Sequence, residues 1–153
     1  MYQSSQLLLC WALFYLYPAV WSLMKIEILY FVGCLSIESA KSVVESAIKD
    51  LGVDVELTTR LMKDEREARE NGCLGSPTIL IDGQDVEPNR RYEKFVWGPR
   101  TYRTQGEEKP TPPKSWVTTG ILKAQRNHDH LSATLYEMWE DLLGRKGLRN
   151  QPY

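Results

Sequence analysis

The stretch Lys25–Thr58, "KIEILYFVGCLSIESAKSVVESAIKDLGVDVELT", decides the fold. Its first part puts Ile26, Ile28 and Tyr30 on one face and then becomes continuously apolar up to Gly33, the pattern of a strand buried on both sides. From Ser36 the apolar residues Ile37, Ala40, Val43, Val44, Ala47, Ile48 and Leu51 recur at helical spacing, and Gly52 stands where a helix C-terminus wants a left-handed residue. Val53, Val55 and Leu57 then alternate as a second strand. Strand, helix and strand in this order form a βαβ unit, so the two strands are expected to be parallel with a right-handed crossover.

Working outward, "KDEREARENG" reads as a short polar helix with Ala68 among its few apolar positions, and "SPTILIDGQDVEP" as a third strand ending in an Asp82-Gly83 turn. Residues 87–113 form a Pro-, Arg- and Lys-rich connection in which "RTYRT" reads as an antiparallel fourth strand. Pro113 opens a helix with Trp116, Val117, Ile121 and Leu122 inward. A further amphipathic helix, at 126–146, carries Leu131, Leu135, Met138, Trp139, Leu142 and Leu143, suited to packing on the domain or on a partner, the former favoured. The domain itself spans about Lys25 to Gln125.

The chain has 153 residues, 42% of them hydrophobic, enough for one domain with a core. With 19 basic and 20 acidic residues and a net charge of -1, it lacks the broad positive footprint of a dedicated nucleic-acid binder. "NRRYEKFVWGPRTYR" does interleave Arg90, Arg91, Lys94, Arg100 and Arg103 with Tyr92, Phe95, Trp97 and Tyr102, a composition that suits single-stranded nucleic acid or a phosphorylated ligand. A solvated loop whose aromatics cover the sheet edge is the favoured reading, so there is no firm nucleic-acid signal.

Three cysteines, Cys10, Cys34 and Cys73, make no disulfide framework and fit a reducing, cytoplasmic setting. No two of them have zinc spacing. His128-Asp129-His130 would share a metal only in extended backbone; a polar run flanking a helix start, capped by Asn127 or Asp129, explains it better. No metal or cofactor is expected.

Residues 1–23 are a separate matter. Leu7–Leu23 is apolar over 17 residues, about 26 Å as a helix at about 1.5 Å per residue, against a hydrocarbon core of about 30 Å. It reads as an anchor or cover helix, which would make the protein membrane-anchored, or as a segment ahead of a true start at Met24. The second is favoured, because a strand follows Met24 with no linker. A cleaved signal peptide is disfavoured, since no Lys or Arg precedes Lys25.

The motifs Tyr30-Phe31-Val32-Gly33-Cys34, Gly75-Ser76-Pro77-Thr78-Ile79 and Arg100-Thr101-Tyr102, in this order on a βαβ unit, resemble the small single-domain proteins of the thioredoxin superfamily, some of which are labelled alkylmercury lyases by similarity. The resemblance covers about Lys25 to Gln125 and implies an α/β, thioredoxin-like β-α-β-α-β-β-α sandwich with the C-terminal helix appended. It also implies a cis peptide bond before Pro77 and a loop in which Ser76 and Pro77 face Cys34.

By that resemblance Cys34 is the candidate nucleophile, Pro77 shapes the site, Cys73 is a candidate resolving thiol, and Ser36, Ser76 and Thr78 are candidate substrate contacts. A helix N-terminus favours thiolate over thiol, which supports the role of Cys34, while Glu38 opposes it and Ser36 offers a compensating hydrogen bond. Redox members carry a second cysteine three residues on, where this chain has Ile37, and Pro99 stands where many relatives carry another. Relief by an external protein thiol or glutathione, or by Cys73, then replaces local resolution. The expected function is a thiol-dependent activity of oxidoreductase type. Its alternative is a non-catalytic thioredoxin-fold module that binds a protein or peptide near Pro77. Alkylmercury cleavage would need Cys34 and Cys73 together on mercury with a proton donor.

Overall fold

The computed structural model describes residues 23–88 and 95–142. Both the 1–23 question, apart from Leu23, and Arg90, Arg91, Tyr92 and Lys94 of the basic loop lie outside the described residues. Leu23–Asn127 forms one compact unit; among the described residues, the other consists of the helical stretch from His128 onward.

Six strands and three helices are described: β1 (Met24–Tyr30), α1 (Ile37–Leu51), β2 (Val55–Leu61), α2 (Glu65–Glu70), β3 (Thr78–Ile81), β4 (Gln84–Asp85), β5 (Tyr102–Thr104), β6 (Glu107–Lys109) and α3 (Lys114–Leu142). The class is α/β with a mixed sheet. Four strands lie in the order β2-β1-β3-β4. β1 pairs in parallel with β2, as the βαβ reading requires, from Met24 opposite Val55 to Tyr30 opposite Leu61. It pairs antiparallel with β3, Ile26 facing Ile81.

Alternation along the central strands sorts the core onto two faces. Ile26 and Ile28 of β1 and Ile79 and Ile81 of β3 meet Ala40, Val44 and Ala47 of α1 and Val117, Ile121 and Ala124 of α3. Leu29 and Leu80, pointing the other way, join Phe31, Met62, Ala68 and Cys73 on the α2 side. Gly120 permits the close seat of α3: a Cβ there would lie 2.7 Å from Cδ1 of Ile81.

Local signals end the elements as chemistry predicts. Gly52, at φ 60°, caps α1 by donating its N–H to the carbonyls of Ile48 and Lys49. Asp64 caps α2 by accepting from the Glu67 N–H at 2.8 Å, and Glu67 reaches back to accept from the Lys63 N–H at 3.0 Å. That exchange, with Arg60, holds the Glu67 carboxyl below its ordinary range.

Three expectations need correction. The segment "RTYRT" does not supply the fourth strand of the sheet; that strand is the two-residue β4, closed by the Asp82-Gly83 turn, while Tyr102–Thr104 pairs with Glu107–Lys109 in a separate hairpin. The two C-terminal helices are one, because Asn127 to His130 continue the backbone of α3 rather than cap a new helix. Finally, Leu122 is exposed, Ala124 taking its place inward; further along α3, Leu131, Leu135, Met138 and Trp139 are exposed as well.

Candidate functional site

Cys34 sits in a turn between β1 and α1. Its N–H donates to the Phe31 carbonyl at 3.1 Å. The side chain is partly exposed, between Val32 and Leu35, which are 85% and 98% exposed. Ser36, the residue ahead of α1, makes no side-chain cap. The first N–H groups of that helix therefore have no side-chain oxygen from Ser36 upon them. Glu38 lies in the first turn of α1, as expected.

The Gly75–Thr78 loop reaches the same region through Ser76. The Ser76–Pro77 bond is cis. Oγ of Ser76 accepts from the buried Phe31 N–H at 2.9 Å, so the loop grips the strand end that carries the Cys34 turn. Trp97 stacks on the Phe31 ring with centroids 4.0 Å apart, and Arg69 lies over the neighbouring Phe95 ring at 4.3 Å.

The other nominated residues lie deeper. Pro77 is fully buried. Thr78 is also fully buried; its hydroxyl donates to the Gly75 carbonyl at 2.7 Å and accepts from the Leu74 N–H at 3.2 Å, which leaves it a structural tie rather than a surface contact. Cys73 is 1% exposed and its thiol donates to the Gly75 carbonyl at 3.3 Å. Burial pushes that thiol up from its ordinary range, against the smaller opposing effect of the Gly75 contact. Neither fast exchange nor two-thiolate chemistry on mercury suits a thiol so enclosed and so reluctant to ionise.

Sequence reasoning missed the strongest electrostatic feature. Arg100, read as part of a solvated basic loop, has a side chain only 3% exposed. Its guanidinium donates to both Asp85 oxygens at 2.7 and 2.9 Å, to Glu87 at 3.0 Å and to the Thr78 hydroxyl at 3.0 Å, and lies 4.4 Å from the Tyr102 ring centre. Burial, the largest single effect, disfavours its charge, but the Asp85 hydrogen bonds, together with the charges of Tyr102 and Asp85 and the Glu87 hydrogen bond, outweigh it and hold the proton more tightly than usual. Tyr102 is equally buried and donates its hydroxyl to the Pro77 carbonyl at 2.9 Å; desolvation makes that hydroxyl harder to ionise than usual.

Backbone pairing completes the enclosure of the loop. The Ser76 N–H donates to Gly98, and the Ser76 carbonyl accepts from the Arg100 N–H, both at 2.9 Å. Gly75 allows this close approach, because a Cβ there would press on Cβ of Arg100 at 3.0 Å. The signal for this arrangement was present in sequence as Asp85, Glu87 and Arg100, yet their spacing follows no local period.

Elsewhere, a cavity of about 290 Å³ between the β3–β4 hairpin and α3 contains none of the nominated residues in its lining. His128 and His130 lie within α3, two residues apart and so on different faces. Among the described residues no group of three His, Cys, Asp or Glu side chains has metal-binding geometry. No helix among them is long and apolar enough to cross a membrane.

Compared with known proteins, the chain matches no family model, no curated protein and no solved structure.

Proposed function

We propose that the protein is a thioredoxin-like, single-thiol protein that exchanges disulfides through Cys34. Support for the fold part of this reading comes from the strand order β2-β1-β3-β4, from β1 running parallel to β2 and antiparallel to β3, and from the cis bond before Pro77. The observation that carries the chemical part is the contrast between the two thiols: Cys34 is partly exposed in a turn at the start of α1, while Cys73 is sealed in the interior.

The step is an ordinary exchange. The Cys34 thiolate attacks one sulfur of a partner disulfide; the partner S–S bond breaks, a Cys34 mixed disulfide forms, and the released thiolate takes up a proton. With Cys73 enclosed, a second, external thiol attacks the mixed disulfide and leaves carrying the partner's sulfur, restoring Cys34. Glutathione or a protein thiol serves in that role, and no bound cofactor enters the reaction. Such a thiol belongs in a reducing compartment, which we take to be the cytoplasm.

The alternative, a non-catalytic module that binds a protein or peptide, is favoured by one observation, the exposure of Val32 and Leu35. Strand addition at the loop is not open to it, since Ser76 already pairs with Gly98 and Arg100 and Pro77 is enclosed.

The test is to incubate the folded full chain with oxidised glutathione and map the adduct by mass spectrometry. One glutathionyl group on Cys34, absent from Cys34→Ser and retained in Cys73→Ala, is the expected result. An unmodified protein, or an adduct on Cys73, would reject the thiol reading in favour of the binding module.

A further inference from the structure

Ser76 joins two parts of the molecule that are far apart in sequence. On one side its Oγ accepts from the Phe31 N–H at 2.9 Å, and the Phe31 carbonyl accepts from the Cys34 N–H at 3.1 Å. On the other, its N–H and carbonyl are paired with Gly98 and Arg100. A single chain of hydrogen bonds therefore runs from Arg100 through Ser76 and Phe31 to the backbone of Cys34.

Arg100 is the fixed end of that chain. Its guanidinium is held by Asp85 of β4, by Glu87 and by Thr78 of β3, so its place is set by the sheet rather than by the loop it comes from. A bidentate pair at 2.7 and 2.9 Å leaves the fork one orientation, which a more flexible ammonium would not share. The turn carrying Cys34 has fewer restraints of its own: Ser36 supplies no cap, and Val32, Gly33 and Leu35 are exposed.

We infer that Arg100 is a positioning residue for Cys34, acting through Ser76 to hold the turn against the start of α1. This rests on the thiol reading above. It assigns no contact with the reacting atoms to Arg100 itself; the effect is carried by the backbone of Ser76 and its hydroxyl.

Two mild variants test it on the full chain. Ser76→Ala removes the hydroxyl that grips Phe31, and Arg100→Lys keeps the charge but loses the planar fork. Each is expected to slow reaction of Cys34 with oxidised glutathione about fivefold across the range from about pH 5 to about pH 9, and the double variant to be no slower than the worse single one, because both act along one path. Amide exchange at Phe31 and Cys34 is expected to rise about tenfold in both variants while amides beyond Ala40 in α1 keep their protection. Alkylation of Cys73 stays slow throughout, which separates a loosened turn from general destabilisation. Wild-type exchange at Phe31 and Cys34 in either folded variant overturns the inference, as do rate losses that simply multiply. If the wild-type protein forms no adduct, the thiol reading fails, and the exchange measurement alone decides whether Arg100 positions the turn.

Discussion

Replacing Arg100 with Met keeps a long side chain while removing the cation bound to Asp85 and Glu87. Two carboxylates, 13% and 8% exposed, then remain beside each other without the guanidinium between them. Removing one partner from a buried ionic cluster costs about 3 to 5 kcal/mol. Asp85 still accepts from the Glu87 N–H at 2.8 Å, so the lower part of that range applies. Against a total stability of about 5 to 15 kcal/mol, a loss of about 3 to 4 kcal/mol is a large fraction. For a domain of about 100 residues each kcal/mol lowers Tm by about 4 to 8 °C, which gives a fall of about 12 to 32 °C. Thermal and urea unfolding followed by circular dichroism would measure it. Adding Asp85→Asn and Glu87→Gln to the Met variant removes both negative charges and should regain more than half of the loss. A Met variant within about 1 kcal/mol of wild type would refute the reasoning, because it would mean that water reaches these carboxylates in the folded state.

Other consequences are as direct. In the native protein, iodoacetamide should label Cys34 and leave Cys73 unmodified until denaturant is added; equal labelling in buffer would contradict the enclosure of Cys73. Gly75→Ala should destabilise by about 1 to 3 kcal/mol in urea titrations, since its Cβ presses on the Arg100 stem and approaches the Gly98 carbonyl at 3.4 Å; an unchanged midpoint would show that this loop yields freely. Stability should also decline in alkali. Cys73 and Tyr102 ionise at higher pH folded than unfolded, so their contribution is complete below the unfolded thiol value of about 8.5 and is lost as pH rises past it and then past about 10. Tyr102→Phe should flatten the upper part of that decline while lowering neutral stability by about 1 to 3 kcal/mol through the lost hydrogen bond to Pro77.

The central sheet was legible because its residues obey local periods. Ile26 and Ile28 alternate, Ala40, Val44 and Ala47 repeat at helical spacing, and Gly52 and the Asp82-Gly83 turn mark ends through backbone conformations that few other residues adopt. The position of Cys34 followed from the same pattern. Arg100 did not, because charge in a sequence says nothing about burial: the same residue is a solvated cation or an interior one according to whether Asp85 and Glu87 come to meet it. The break expected at Asn127 to His130 failed for a related reason. Asn and Asp are suited to caps, but their helix propensity is only modestly poor, and neighbours decide whether the backbone continues.

Among the described residues, β2 ends the sheet on one side, its seven residues pairing with β1 alone. An unpaired strand margin of that length is a template on which another chain can grow. Here the margin includes Glu56 and Arg60, and Arg60 is bound sideways to Glu67 and Asn71 near α2, which keeps a bulky, charged group beside the open backbone. Exchanging both for threonine removes the two charges from that margin and is expected to raise the tendency of the protein to form fibrils, which thioflavin fluorescence on incubation would measure.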